Sequence, residues 1–529
     1  MTTVASPIRL TLSVPGETAL VVPADLLVIA CEPRNLIGIC DYTTEEMAVF
    51  SRLQNYTFHT TVVKVQVPVD PARRPKFGVI LKPAAIDEMA GDISGFRNES
   101  AKQFSLQTAN EMSENLVTVY QLLGPEKVPM TQAQFLKRLN DTLQGLDWWP
   151  YDSYQICTDD KGRPITLTTP YFDHFDNAAL ADHLPWKYLA VQGTGNTLYV
   201  HGSTCFESVL QCWQYGGMLL DQLPTLGITL PLKTGRIAVL GAGPSGLLFA
   251  HRLQGLGFSD VHVYEATERI GGKTHTVKFD NPPPPAAPPI GLPHQTGCEL
   301  GTCYLSPAYD DLAKELSAFM SGNVRQGFFL TADHNDPSDH SFRGMVTDGQ
   351  FDGVPIGTKP MDYNDYVLLR GYYEANQPFA DPARWRDGFF PLLVEAEIVA
   401  ALAIYEGIVS RYMGYDALPM PLTPTDTLIS AGYSSFYDML KRNDLLILCG
   451  LLEYAYSVQG YGPLRKIPAY YGMVWISMPL VWSVVESSIG LKKEATVTVL
   501  LSGWLDVWQR MSATLRITTN AKVLKIERS

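Results

Sequence analysis

Gly241, Gly243 and Gly246 stand at the spacing G-x-G-x-x-G within GAGPSG, and Glu265 follows 19 residues after the last of them. Glycines so spaced let a phosphate meet bare backbone. The first permits a tight turn, the second lets the chain approach a pyrophosphate, and the third lets a helix pack closely on a strand. Pro244 and Ser245 lie between the second and third glycines, where N-terminal helix amides would hold the phosphates. A carboxylate at the distance of Glu265 accepts ribose hydroxyls. These residues predict a dinucleotide site, with a purely structural glycine turn as the plainer alternative.

Such a site needs a strand, a helix and a second strand in that order. Ile237 to Leu240 is a short apolar run typical of a buried parallel strand. Leu247 to Leu256 is amphipathic and stops at Gly257. VHVYE is the second strand, and it delivers Glu265.

Directly after Glu265 comes ATERIGGKTH, with Arg269, Gly271, Gly272 and Lys273. At this point the sequence resembles the flavin-containing amine oxidase superfamily. The resemblance implies that the R-x-G-G segment lies along an FAD pyrophosphate, so FAD is the expected cofactor. GCELGTCYLSPAYDDLAKEL resembles the family's next block, which implies that Glu299, Leu300 and Gly301, with Thr302, pass close to the flavin. A solvated loop position is the alternative for Lys273.

LSGWLDVWQRMSATLRITTNAKVLKIERS resembles the family's G-G-W segment, helix and strand, and implies that the backbone of Val523 meets the adenine. The strands expected next are found at the other end, in SPIRLTLSVPGETALVVPADLLVIAC. There Ile8, Leu10 and Leu12 alternate with polar residues, PGET is a turn signal, and ADLLVIAC is one apolar strand. The chain is therefore expected to be a circularly permuted α/β flavoprotein with a Rossmann-type FAD-binding domain and a substrate domain of sheet and helical cap. The FAD domain is assigned to 232–307, 502–529, 1–31 and 186–223. The substrate domain is assigned to 32–185 and 308–501, with a linker at 224–231 joining the original termini. An unrelated added domain over the first 230 residues is the alternative.

With the order restored, the resemblance narrows. QGYGPLRKIPAYYGMVW (Gln459 to Trp475) is similar to the cap block of polyunsaturated (polyenoic) fatty acid isomerases of this superfamily. The stretch from PYFDHFDN to QYGGMLL is similar to their closing region, which implies FAD contacts at Gly202, Ser203, Ser208 and Val209. The implied reaction takes a hydride from a bis-allylic methylene onto flavin N5 and returns it at another carbon, so no protein base is needed and no catalytic side chain is assigned. A small apolar substrate, a fatty acid first, is the expected partner. Arg325 stands where the isomerases anchor the carboxylate, a role that suits a guanidinium; a surface arginine is the alternative. Tyr461, Tyr471 and Trp475, with Tyr470 and Trp482, would line an apolar tunnel or simply fill a core. His174 reads as a hydrogen-bonded structural histidine. The closing turn, His201-Gly202-Ser203, lacks the carboxylate of the family's A-G-E. An amine or amino-acid oxidase releasing hydrogen peroxide, and a non-catalytic flavin-binding protein, stay open.

Composition sets the outer bounds. The 529 residues, 46% hydrophobic and 18% charged, suit a soluble protein with more than one core. A net charge of -13 argues against nucleic acid and anionic membrane surfaces. Eight scattered cysteines without metal-ligand spacing predict no metal site and a reducing compartment. No signal peptide is read at the N-terminus. The uncharged stretch Tyr470 to Val485, broken by Pro479, is short for a spanning helix and reads as a buried helix or tunnel wall. Asn281 to His294 reads as a stiff proline-rich loop. Helical periodicity in EAEIVAALAIYEGIVSRYMGYDAL and TDTLISAGYSSFYDMLKRNDLLILC supplies the cap.

Overall fold

Five short strands form a parallel sheet in the spatial order Thr197–Tyr199, Leu26–Ile29, Arg236–Leu240, Asp260–Tyr264 and Arg516–Thr518. Every neighbouring pair is parallel. Parallel strands covered on both faces must be apolar along their length, and Leu26, Leu27, Val28 and Ile29 are all buried, as are Ile237 to Leu240. The structure, a computed structural model, describes residues 7–16, 19–75, 79–104, 106–143, 150–280, 295–323, 325–328, 344–346, 350–351, 354–355, 361–376, 390–414, 418–457, 459–476, 481–482 and 497–528. The proline-rich stretch 281–294 lies outside them.

The helices Pro244–Gly255 and Val209–Gln222 pack against each other beside this sheet. Their contact is close because Gly216 and Gly217 carry no side chain. A Cβ on Gly216 would meet the Phe249 ring at 3.2 Å, and one on Gly217 would meet Arg252 Nη1 at 3.0 Å.

A three-stranded antiparallel sheet joins Leu20–Ala24, Ile8–Ser13 and Lys522–Arg528 in that order. Ile8 faces Arg528 and Leu10 faces Ile526, with a register shift between Thr11 and Leu12. Ile8, Leu10 and Leu12 are fully buried, whereas the residues between them are partly or fully exposed. That period of two is the alternation read in the sequence. Leu26–Ile29 follows immediately and crosses into the parallel sheet beside Arg236–Leu240.

A larger, eight-stranded sheet is built on the long strand Gln54–Gln66, which pairs with Glu114–Leu123 on one side and with both Ser153–Ile156 and Thr166–His174 on the other. It packs on the hairpin strand Gln295–Glu299. Thr60 Oγ1 donates to the Leu300 carbonyl (2.9 Å), Arg97 Nη2 to that of Glu299 (2.9 Å) and Lys102 Nζ to that of Gly297 (2.8 Å). The buried cations Arg97 and Lys102 flank buried Glu99, at 2.7 Å and 2.8 Å, which satisfies charge that could not otherwise leave water.

The helices Tyr363–Asn376, Phe390–Met413, Asp426–Ala431, Phe436–Arg442, Cys449–Ser457 and Ala469–Trp475 lie in the two stretches read as cap helices and around them. Gly432, at φ +59°, ends one of these helices, and Ser435 caps the next by accepting from the Asp438 amide. Residues 477–480 and 483–485 of the uncharged stretch lie outside the described residues. Among the described residues, no helix is long and apolar enough to cross a membrane.

Candidate functional site

The three glycines do three different things. Gly241 sits at φ +108°, and a Cβ there would meet the Ala30 backbone at 3.2 Å. Gly246 lies against the turn it closes, where a Cβ would stand 2.0 Å from the Gly241 carbonyl oxygen. Gly243 is different: a Cβ there would find only Gly272 Cα, at 3.7 Å, so its open face is a space that a side chain would fill. Pro244 occupies the first turn of the helix Pro244–Gly255, where its missing N–H costs nothing, and Ser245 is buried behind it.

Gly271 and Gly272, at φ +93° and +54°, lay a second stretch of bare backbone on the first. The Gly271 amide donates to the Ala242 carbonyl (2.8 Å), and a Cβ on Gly272 would come within 3.0 Å of Gly243 Cα. Arg269 braces this loop from inside, donating to the carbonyls of Ile270 (3.2 Å) and Gly272 (2.8 Å). Glu265 lies just past its strand and ties both parts together. It accepts from the Ala242 amide (2.9 Å) and from the amide and hydroxyl of Thr267 (2.9 and 2.8 Å). Ala521 and Asn520 donate to the carbonyls of Glu265 and Thr267, both at 2.8 Å, which brings half-buried Val523 to the same end of the site.

Leu300 is buried and donates its amide to the His275 carbonyl (2.8 Å). Gly301 presses on the Lys273 carbonyl, where a Cβ would stand at 1.8 Å, and Thr302 follows half-buried. From the other side, the strand Thr197–Tyr199 delivers the turn Gly202–Thr204. Ser203 points inward, its hydroxyl 3.1 Å from that of Tyr188. Ser208 caps the helix that begins at Val209, accepting from the Gln211 amide at 3.1 Å.

Between the closing turn and the glycine loop lies a partly buried charged cluster that motif reading missed. Lys273 Nζ donates to Glu207 Oε1 (2.5 Å) and lies 3.8 Å from Asp173 Oδ2, which is also 3.8 Å from His201 Nδ1. Asn55 Nδ2 donates to Asp173 Oδ1 (2.9 Å) and reaches Glu32 Oε1 (3.5 Å), and Glu32 pairs with Arg34 Nε at 2.8 Å. A β-bulge aims Asp173: Phe172 takes φ +57° and the register slips between Gln54 and Tyr56, so three successive residues at the strand's end are buried. Burial pushes Glu32 up to about 7, with Asp173 adding to the rise. Burial also holds His201 down to about 4, neutral at pH 7. Lys273 is raised although burial opposes it, because Glu207 and Asp173 face it. The available sequence signal was a carboxylate set among apolar or aromatic neighbours, as in ACEP, YFDHF and CFES. Lys273, 29% exposed, is thus held in a half-buried ion pair with Glu207.

An aromatic wall closes over this cluster. Tyr461 Oη donates to the Glu207 carbonyl (2.8 Å) and its ring stacks on Tyr171 (5.3 Å between centroids). Trp475 stacks on Phe206 at 5.0 Å, and Tyr471 meets Phe172 edge-on at 5.6 Å while accepting from the Phe175 amide (3.0 Å). Tyr470 faces elsewhere, lining a cavity of about 260 Å³ with Trp186, Leu428 and Tyr433. His174 stacks on Phe172 and bonds through Nδ1 to the Phe172 carbonyl oxygen (2.7 Å), a structural arrangement. Arg325 begins the strand Arg325–Phe328, opposite Leu500, and its side chain lies outside the described residues. Among the described residues, no cluster of His, Cys, Asp and Glu could hold a metal ion.

The parallel sheet, the glycine turn and the acidic residue define a Rossmann dinucleotide-binding unit that fits FAD. Residues 239–302 match the NAD(P)-binding Rossmann-like domain. Tryptophan 2-monooxygenase of Allorhizobium ampelinum is 25% identical over 223 residues, covering 37% of this chain and 28% of that protein. Polyenoic fatty acid isomerase of Ptilota filicina is 22% identical over 303 residues, covering 55% of this chain and 50% of that one. Over a shorter stretch of 44 residues, the flavin-dependent L-tryptophan oxidase of Lentzea aerocolonigenes is 50% identical, covering 8% of this chain and 9% of that protein. The chain thus spans half or less of the length of these curated relatives. Among solved structures, the CLA-producing fatty acid isomerase from P. acnes overlaps with a TM-score of 0.34 at 18% identity, covering 55% of this chain and 52% of that one. Wild-type putrescine oxidase does so with a TM-score of 0.31 at 16% identity, covering 54% and 50%.

Proposed function

We propose that the chain is an FAD-dependent isomerase that moves double bonds in a long-chain polyunsaturated fatty acid. The observation that carries this reading is the aromatic wall beside the closing turn, where Tyr461 and Trp475 pack on Phe206, Tyr461 bonds to the Glu207 carbonyl, and Tyr471 packs on Phe172. Wide, rigid apolar surfaces of this kind suit a hydrocarbon chain and keep water from it. The stretch similar to polyenoic fatty acid isomerase, 55% of the chain, supports the same reading.

In this proposal the amides after Gly243, with Pro244 and Ser245, hold the pyrophosphate, and Glu265 and Val523 hold the adenosine end. Gly271, Gly272, Leu300, Gly301 and Thr302 line the path to the flavin, and Gly202, Ser203, Ser208 and Val209 close its far end. Arg325 would anchor the fatty acid carboxylate. Bound FAD supplies the hydride acceptor and donor. The aromatic wall orients the chain. The FAD domain is proposed to comprise 232–307, 502–529, 1–31 and 186–223, the remainder forming the substrate domain and a linker at 224–231. The pairing of Ile8–Ser13 with Lys522–Arg528 supports this assignment and the permuted order proposed with it.

The half-buried Lys273–Asp173–Glu207 cluster and the similarity to tryptophan 2-monooxygenase favour a second reading, an amino-acid or amine oxidase. One assay separates the two. FAD-loaded protein incubated with linoleate should raise conjugated-diene absorbance without consuming oxygen. Peroxide formed from tryptophan or a diamine, with no diene, would replace the isomerase with the oxidase.

A further inference from the structure

We propose that Glu207 is the hydrogen-bond acceptor for a ribityl hydroxyl of FAD, a role that rests on the FAD reading above and that no motif assigns. Glu207 folds back over the closing turn. A Cβ on Gly202 would meet its Cα, Cγ and Cβ at 3.2, 3.3 and 3.4 Å, so the glycine leaves the room that Glu207 occupies. From there its side chain reaches Lys273, the residue after the glycine pair that lies on Gly243. Glu207 therefore bridges the two ends of the crevice at the carboxyl edge of the parallel sheet, where ligands of such sheets bind. An FAD with its pyrophosphate at Gly243 and its ring at the closing turn would run its ribityl chain past this bridge.

The acceptor count agrees. A carboxylate offers about four lone-pair sites. Glu207 uses one for Lys273 Nζ and one for the Asp173 amide (3.3 Å), and its side chain is 10% exposed, so acceptor capacity remains. Ser203 cannot serve instead, because it is buried and turned to Tyr188. Asp173 cannot either: its Oδ2 is enclosed without a hydrogen-bond partner, and its charge faces Lys273 and His201. Glu207 thus stands four residues after Ser203, where the resemblance to the A-G-E turn implies a carboxylate.

The test is equilibrium titration of the apoprotein with FAD, read by flavin fluorescence, with far-UV circular dichroism on each variant. Wild type, E207Q, E207A, K273M, G243V and the double variant E207Q/K273M are compared. Removing a charged acceptor should weaken FAD by about tenfold or more in E207A. E207Q, which keeps one acceptor oxygen, should lose less. The E207Q loss should persist in the K273M background, since a direct contact does not act through the lysine. Wild-type affinity in a folded E207Q and E207A, or an E207Q effect that vanishes with K273M, overturns the proposal while G243V still reports on the FAD site. A wild-type chain that takes up no FAD overturns both.

Discussion

Arg528 grips Glu46 with both terminal nitrogens, Nη1 to Oε1 and Nη2 to Oε2, each at 2.7 Å. The pair joins the strand Lys522–Arg528 to the helix Thr44–Phe50, and the two side chains are 3% and 0% exposed. Glu46 also accepts from Tyr199 Oη (2.5 Å) and the Thr43 amide (2.8 Å). Burial alone would raise its pKa, but Arg528, Tyr199 and Thr43 together hold it below the usual carboxylate range. Glu46→Ala leaves a buried guanidinium without its main partner and should cost about 3–5 kcal/mol in urea unfolding. Because the folded pKa of Glu46 is depressed, its contribution is present above the ordinary glutamate pKa and is lost as pH falls below it. A variant as stable as wild type at pH 7 would show that the pair does not hold the strand in place.

Gly243 and Gly246 should separate binding from folding. Gly246→Ala sets a methyl 2.0 Å from the Gly241 carbonyl oxygen, so helix or turn must move, at a cost of about 1–3 kcal/mol. Gly243→Ala meets nothing closer than 3.7 Å at an ordinary φ of -76°. It should keep the melting temperature of the apoprotein and lose FAD affinity. Thermal melts with and without FAD decide this; full FAD retention in Gly243→Ala would move the pyrophosphate elsewhere.

Glu265→Ala should weaken both fold and cofactor site. The carboxylate holds the Ala242 amide and Thr267, and its proposed ribose contacts are hydrogen bonds to a charged group. Such bonds are worth about 1.5–3 kcal/mol, or roughly tenfold and more in affinity. Parallel measurement of the urea midpoint and the FAD affinity should show both falling. An affinity unchanged in a folded variant would confine Glu265 to tying the turn.

His59 should give stability a pH slope. It is buried in the eight-stranded sheet, bonded to Thr168 Oγ1 (2.6 Å) and Thr61 Oγ1 (3.1 Å) and stacked on Phe135. Burial lowers its pKa to about 4. The unfolded chain, with a histidine pKa near 6.5, therefore binds the extra proton between these values. Its contribution is complete above about pH 6.5 and is lost as pH falls toward 4. The stability gap between wild type and His59→Asn should narrow across that window, and a constant gap would mean that His59 is not held neutral.

Much of the glycine site is legible in the residues themselves. Turn, helix start and strand end are local: a glycine's freedom at Gly241 and a short apolar run at Ile237 to Leu240 act within a few residues of chain. The period of two at Ile8, Leu10 and Leu12 is legible for the same reason, since alternate side chains of a strand share one face. The resemblance to flavin amine oxidases also rests on such contiguous blocks.

Only the tertiary structure decided what meets what across the crevice. Lys273, Glu207, Asp173, Asn55 and Glu32 come from five separate stretches of the chain, and no spacing in the chain foretells that they meet. The direction of Asp173 depends on a bulge at Phe172, and Glu207 lies over Gly202 only because the turn folds back. Burial then sets the chemistry of these groups: removal from water makes a lysine seek two carboxylates and keeps His201 neutral. The residue types were in the sequence, but their desolvation and their partners belong to the packed protein.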